Sequence, residues 1–360
     1  MRAHPQVLEK QGLSRLLLRS LAVGFGAGVA IRRAAYRHGW FRTRRLSCPV
    51  ISVGNLSLGG TGKTPMVAYI AEALLHRGWK PGILTRGYGR RHGAKMIAIE
   101  PGRGRMAEPI VWGDEPALLA ARLPEVPIVI AANRYRAGLT AEERFGVNVH
   151  VLDDGFQHLA LARDLDVVLL DVTREYSGAS LVPAGPWREP LASLGRAQAV
   201  VLTRLELGDP HPLEEAVRRL NPGLKMFRST TRLRRLVDVA SGIEWVADAL
   251  VGKPVGAFCG IGNPRAFFGD LQAWGFATVA ETAFPDHHSY RNGELIEQVR
   301  KATEAGAIAL LITEKDAMNL PREWKSPVPI LACVTEIEIE PAAAFDELLA
   351  GCLESWRPTH

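Results

Sequence analysis

The sequence predicts an α/β fold: a P-loop NTPase-like, mainly parallel sheet with helices on both faces, a second smaller α/β domain, and an N-terminal membrane-associating helix. Three observations carry this reading. From residue 50 onward, apolar β-branched runs alternate with helical patterns, as expected for parallel strands covered on both faces. A glycine-rich turn, Ser57-Leu58-Gly59-Gly60-Thr61-Gly62-Lys63-Thr64, joins the first such run, Val50–Val53, to the first helical pattern. The positive charge is confined to one end: residues 1–50 hold ten Lys/Arg against the single acid Glu9, whereas the remainder is net −3.

The chain has 360 residues, 47% hydrophobic and 23% charged, enough for one large or two medium domains with real cores. Residues 13–37 read as a helix, with Leu13, Leu17, Leu21, Gly28, Ile31 and Ala35 along one face. Only twelve uncharged residues separate Arg19 from Arg32. That is too short for a membrane span, which needs about twenty. A helix lying in the membrane interface, apolar side down, fits both the length and the flanking arginines, with Trp40 and Phe41 as interfacial anchors. Basic segments also bind nucleic acid, so that class stands as a competitor.

After the glycine-rich turn, Gly82–Thr85 reads as a strand ending in Arg86-Gly87-Tyr88-Gly89-Arg90. Residues 95–100 and 109–112 read as a hairpin. Asp114-Glu115-Pro116 opens a helix, Ile128–Ala132 is a strand, and Asn133-Arg134 opens the next helix. Val147–Leu152, Asp166–Val172 and Ala199–Thr203 are further strands, and 224–240 reads as short alternating strands forming a linker. A second βα series follows: Val255–Cys259, Ala307–Thr313 and Ile330–Val334, with an amphipathic helix from Phe345 to Trp356. Ligands of such sheets sit at the carboxyl ends of the strands, where Thr85-Arg86, Asp153-Asp154 and Thr203-Arg204 fall.

The glycine-rich turn has the chemistry of a phosphate cradle. Its backbone N–H groups and the helix N-terminus face anionic oxygens, Lys63 reaches the terminal phosphates, and the Thr64 hydroxyl binds Mg²⁺. Ser57 stands where the usual pattern has glycine. Asp153-Asp154, following an apolar strand, occupy the position of a Mg²⁺-holding carboxylate. Asp114-Glu115 read equally as a helix cap or as catalytic acids. Asp286-His287-His288 read equally as a loop or as a carboxylate–imidazole pair. Thr313-Glu314-Lys315-Asp316 reads as a capping box. Cys48, Cys259, Cys333 and Cys352 are widely spaced with no Cys-x-x-Cys pair, which speaks against a zinc site or a disulfide framework and for a reduced cytosolic setting.

Together these segments resemble the tetraacyldisaccharide 4′-kinase family, the lipid A 4′-kinases of Gram-negative bacteria. The match rests on Gly54-Asn55-Leu56-Ser57 running into Gly59–Thr64, Thr85–Gly89, Gly113–Pro116, Asp153–His158, Pro183–Pro186 with Arg188-Glu189-Pro190, Phe284–His287 and Thr313–Asp316. Trp187 stands where the family pattern has an aliphatic residue.

The resemblance implies transfer of the ATP γ-phosphoryl group to the 4′-hydroxyl of tetraacyldisaccharide 1-phosphate at the cytoplasmic face of the inner membrane. It makes Asp114 the base, His287 its partner, and Lys63 the third catalytic residue. ATP would be held by Ser57 to Thr64, with Leu58 and Arg188, and Mg²⁺ by Thr64, Asp153, Asp154 and Glu189. Arg86, Arg134, Glu115 and Asp286 would serve the substrate or its network. The expected boundaries are 1–45 for the membrane segment, 46–225 for the P-loop kinase domain, 226–240 for a linker and 241–360 for the second domain, whose last helix packs back on the first. The partners expected are the lipid substrate and a membrane surface, with no nucleic acid. A partner-switching ATPase would give Asp114 and His287 no role, and a kinase of soluble metabolites would not need the N-terminal helix.

Overall fold

The computed structural model of the protein describes residues 5–87, 95–106, 109–176, 180–321, 324 and 326–356, with the side chains of 5–16, 105 and 106 left aside. In order come α1 (Pro5–Arg37), β1 (Val50–Asn55), α2 (Lys63–His76), β2 (Pro81–Thr85), β3 (Met96–Ile99), α3 (Pro109–Trp112), α4 (Asp114–Arg122) and β4 (Ile128–Ala131). Next are α5 (Arg134–Phe145), β5 (Val149–Asp153), β6 (Leu165–Asp171), β7 (Ala199–Thr203), α6 (His211–Leu220), β8 (Lys225–Asp238) and β9 (Glu244–Trp245). The chain ends with β10 (Pro254–Cys259), α7 (Pro264–Ala273), β11 (Ala277–Ala283), α8 (Asn292–Glu304), β12 (Leu310–Thr313), α9 (Glu314–Met318), β13 (Ile330–Glu340) and α10 (Ala342–Ser355).

The strands form one sheet in the order β11-β10-β12-β13-β8-β7-β6-β1-β5-β2-β4-β3, with β9 added to β8. Neighbours from β7 to β4 run parallel, and so do those from β11 to β13. The two-residue period of a strand decides the layers. In β6, Val167 and Leu169 face one core with α2 and α10, while Val168 and Leu170 face the opposite one with α6. Both faces are therefore apolar and both are covered by helices.

Three expectations change. Residues 109–112 form the single helical turn α3, not a strand; β3 pairs antiparallel with β4 instead, Met96 opposite Ala131. The stretch expected as a linker, 226–240, is almost wholly the long strand β8. Its first residues pair parallel with β7, and Arg228 to Asp238 pair antiparallel with β13. One strand thus belongs to both halves of the sheet, and its exposed ladder carries charge pairs such as Arg232–Glu338 at 2.9 Å. The third is β11, unforeseen from the sequence: an edge strand without a fully buried residue lacks the apolar run that announces a strand.

α1 lies on the P-loop half through Arg32, which donates to the Gln157 carbonyl, and Arg33, which donates to Ser193 Oγ. Its free side exposes Leu17, Leu21, Val23 and Ile31. Among the described residues no helix is long and apolar enough to cross a membrane.

α10 closes the first core. Phe345 is wholly buried, edge-on to Phe227 at 5.0 Å and to Tyr69 at 6.0 Å between ring centroids. Phe345→Ala is expected to cost about 3–5 kcal/mol through lost burial and a residual cavity. Urea unfolding reads this as a fall in midpoint; an unchanged midpoint would show that α10 does not close this core.

Candidate active site

The phosphate cradle is built where β1 stops. Gly62 adopts φ 84° and leads directly into α2 at Lys63, a left-handed turn that L side chains resist. Asn55 Nδ2 donates to Thr61 Oγ1 at 2.8 Å and pins the loop from below. Ser57, the departure from the glycine pattern, sits in a β-bridge with Trp187, an extended conformation that needs no glycine. Leu58 N–H donates to the Pro186 carbonyl at 2.7 Å, so the proline-rich loop is fastened to the cradle. Gly54 has a different reason: a Cβ there would lie 2.5 Å from Phe156 Cβ, so the Asp-Asp-Gly-Phe turn packs directly on the strand.

Asp153 and Asp154 end β5 beside the cradle. Asp153 is buried and accepts from Thr85 Oγ1 at 2.8 Å. Burial, and then the charges of Glu115 and Asp154, push its carboxyl well above the usual range. Asp154 differs. Burial would raise it too, but Lys63 and Arg188 outweigh burial and hold it below the ordinary carboxylate value. Lys63 Nζ is 3.7 Å from Asp154 Oδ1, and Arg188 Nη1 donates to both Asp154 oxygens at 2.9 and 2.7 Å.

Asp114 opens α4 and is 7% exposed. His287 Nδ1 lies 2.9 Å from Asp114 Oδ2, and Asn319 Nδ2 donates to the same oxygen at 3.0 Å. Burial works to raise Asp114, but the hydrogen bonds from His287 and Asn319 prevail and lower it. The Asp114 contact in turn raises His287. Lys315 Nζ donates to Asp286 Oδ1 at 2.7 Å, and Asp286 Oδ1 accepts the His287 N–H at 3.0 Å, fixing the loop that carries the imidazole. Thr313 caps α9 by accepting from Asp316 N–H, which is half of the expected capping box; the Asp316 carboxylate instead accepts from Gly260 N–H, Tyr290 OH and Thr313 Oγ1.

Two cavities meet here. The first, about 500 Å³, is lined by the cradle from Leu58 to Thr64 together with Glu115, Asp154, Arg188, Asp286 and His287. The second, about 520 Å³, lies under α1 and is lined by Arg32, Arg33, Arg86, Arg134, His158, Asp154, Arg188 and Glu189. Asp154 and Arg188 line both. Burial and then the field of these arginines, Arg134 foremost, depress the His158 imidazole to about 4. Among the described residues three non-glycines have positive φ, Asp154, Arg204 and His287, and all three line the first cavity. Backbone strain concentrates where side chains must be aimed.

Most of the expected residues converge on these cavities. Asp114 and Asp153 stand behind the first wall, and Ser57 supports it. Glu189 lies apart from the cradle: both its oxygens accept from Arg196 at 2.8 Å, and it lines the second cavity, not the first. Tyr88, Gly89 and Arg90 of the glycine-arginine segment lie outside the described residues. Asn319 and the Lys315–Asp286 bond were not foreseen; Asn319 had no motif around it, and Lys315 was absorbed in the capping pattern.

The family model for tetraacyldisaccharide-1-P 4′-kinase (LpxK) matches residues 14–354. A tetraacyldisaccharide 4′-kinase of Syntrophus aciditrophicus is 36% identical over 349 residues, covering 93% of this chain and 92% of that protein. One from Anaeromyxobacter sp. (strain K) is 41% identical over 330 residues, covering 91% and 87%. The crystal structure of LpxK from Aquifex aeolicus in complex with ATP superposes with a TM-score of 0.74 at 30% identity, covering 94% of this chain and 99% of that one. With its cradle, its carboxylate pair and its Asp–His pair in place, this chain belongs to the tetraacyldisaccharide-1-P 4′-kinase family.

Proposed function

We propose that the chain transfers the γ-phosphoryl group of ATP to the 4′-hydroxyl of tetraacyldisaccharide 1-phosphate where the two cavities meet. The observation that carries this is the shared wall: Asp154 and Arg188 line both the phosphate cradle and the arginine-rich cavity under α1. A phosphoryl donor held in one and an anionic acceptor held in the other are brought edge to edge.

In this reading the backbone N–H groups of the cradle and Lys63 hold the triphosphate, with Arg188 across from them. Thr64, Asp153 and Asp154 supply the hard oxygen donors that suit Mg²⁺. The crowding of Asp153 by Glu115 and Asp154 is a fit test for that ion, because a cation would relieve it. When bound, Mg²⁺ neutralises charge on the phosphate oxygens. Asp114 receives the hydroxyl proton, oriented by His287 and Asn319. Arg86 and Arg134, with Arg32 and Arg33 from α1, meet the acceptor's 1-phosphate. Residues 46–225 and 241–360 act as two domains joined by β8, the second delivering His287 and Asn319. The exposed apolar side of α1 rests in the headgroup region of the inner membrane's cytoplasmic face, so the acyl chains stay in the bilayer while the sugar reaches Asp114.

Phosphate transfer from γ-labelled ATP to tetraacyldisaccharide 1-phosphate in mixed micelles tests the chemistry. Lys63→Ala and Asp114→Ala should each lose about a hundredfold or more, the scale of a positioned catalytic group. ATP hydrolysis by the wild type with the lipid left untouched would favour a switch ATPase instead.

The pH profile tests the pairing. The raised His287 favours the folded state at pH below its unfolded value near 6.5, and this contribution is lost as pH rises through its folded pKa. The lowered Asp114 contributes above about 3.8 and loses that as pH falls through its folded pKa. His287→Ala removes the strongest lowering influence and leaves burial, so the acid limb of kcat/KM should move to higher pH. A limb that stays put would mean another group ionises there.

Flotation with anionic vesicles tests the helix. Leu17→Glu with Leu21→Glu should cut recovery with the vesicles about tenfold or more, since each leucine loses burial worth about 1.5–3 kcal/mol. Undiminished flotation of the double variant would place the membrane contact elsewhere.

A further inference from the structure

At the opposite end of the sheet from the cradle, three side chains of different chemistry converge. Cys48 precedes β1, Glu142 lies in the last turns of α5, and His150 is the second residue of β5, next to Val50 in register. One ligand atom from each falls within 4.8 Å of the others. His150 Nε2 and Glu142 Oε1 are 3.0 Å apart, and Cys48 Sγ donates to the Val147 carbonyl at 3.4 Å. The His150 side chain is wholly buried, and its Nδ1 has no hydrogen-bond partner among the described residues. Nε2, the ring nitrogen beside Glu142, is the one that a cation shared with Glu142 would take, with the proton then on Nδ1.

We propose that Cys48, Glu142 and His150 form a binding site for a borderline-soft divalent cation, Zn²⁺ being the best match. Thiolate, imidazole and carboxylate are its three common ligands, and tetrahedral coordination at 2.0–2.3 Å sets ligand atoms about 3.3–3.8 Å apart. The Cys48 and Glu142 side chains are both partly exposed and would have to draw in from the present separations of up to 4.8 Å, with the fourth position left to water or to the Val147 carbonyl. A magnesium site would have no use for sulfur, which separates this site from the one at the cradle. The absence of a Cys-x-x-Cys pair is no obstacle, because the three ligands come from three elements that meet only in the fold.

The site would tie the end of α5 to the starts of β1 and β5. α5 begins at Arg134, a wall residue of the arginine-rich cavity, so the cation would brace a helix that reaches the acceptor side at its other end. Its function is that of a structural clamp, independent of the phosphoryl-transfer chemistry.

The full chain, stripped with chelator and titrated with Co²⁺, should develop a thiolate-to-cobalt charge-transfer band that saturates at one equivalent and is bleached by Zn²⁺. Co²⁺ bound at the cradle, among oxygen ligands, would give no such band. Saturating Zn²⁺ should raise Tm by roughly 3 °C or more. Cys48→Ser should lose the band and the Tm shift, with kinase activity retained in excess Mg²⁺ and no added Zn²⁺ verifying its fold. Glu142→Gln, which keeps its size, should weaken Co²⁺ binding about tenfold or more. No band in the wild type, or a band undiminished in Cys48→Ser, overturns the proposal and leaves a hydrogen-bonded trio at this end of the sheet.

Discussion

Asp154 stands between two cations, and the architecture around the cradle follows from that placement. Its carboxylate is shared by Lys63, which opens α2, and by Arg188, which arrives on the proline-rich loop. To face both, Asp154 leaves β5 in a left-handed conformation with φ 50°, a strain that a residue in an ordinary turn would not carry. The loop bearing Arg188 is fastened through the Ser57–Trp187 bridge and the Leu58–Pro186 bond, and Trp187 is buried against Tyr176 with ring centroids 4.7 Å apart. An anion entering the cradle therefore competes with Asp154 for cations already positioned, and needs no reorganisation to find them.

The second constraint is the sharing of β8. Asp114 belongs to the P-loop half, whereas His287 and Asn319 come from beyond β8. A hydrogen bond of 2.9 Å between such distant segments requires the two halves to hold a fixed register. A continuous strand paired to β7 at one end and β13 along the rest provides it. Arg122 adds a second tie, donating to the Thr335 carbonyl and lying 3.7 Å from Glu314. Glu314 is largely buried, with its side chain 15% exposed, which raises its carboxyl, and Arg122 offsets part of that cost. These ties cross the first cavity's wall, so the cavity is a product of the junction and not of either half alone.

What was legible in the sequence was local. The cradle could be read because strand, turn and helix are contiguous and each leaves its own periodicity. Asp153-Asp154 could be read because they end an apolar strand. The pairing of Asp114 with His287 was reachable only through family resemblance, since 173 positions separate them and nothing in their own neighbourhoods demands a partner. Asn319 left no trace at all: its role depends on the turn after α9 meeting the start of α4. Glu189 shows the limit from the other direction. Its motif was sound, but Arg196, seven residues on, takes both carboxylate oxygens. The same limit explains β8, whose arginines disguise a continuous strand as broken pieces, and the Cys48 cluster, assembled from segments about a hundred residues apart.

A carboxylate held below its ordinary pKa is a weak proton acceptor, and this bears on what Asp114 does. His287 and Asn319 stabilise its anion, so the site gives up basicity for a carboxylate that is ionised and fixed in orientation. Such an exchange suits a reaction with a loose transition state, in which the attacking hydroxyl keeps its proton until bond formation is advanced. Early strong basicity then contributes little, whereas holding the oxygen in line with the γ-phosphorus contributes much. His287 completes the logic. Its raised pKa lets it carry a positive charge beside Asp114, and as the carboxylate is protonated that charge loses its partner. In the proposed reaction, proton transfer to Asp114 would be coupled to proton loss from the imidazole, which lines the cavity with Nε2 3.5 Å from Lys315 Nζ. In that reaction the pair would act as one unit that accepts a proton at Asp114 and returns it through His287.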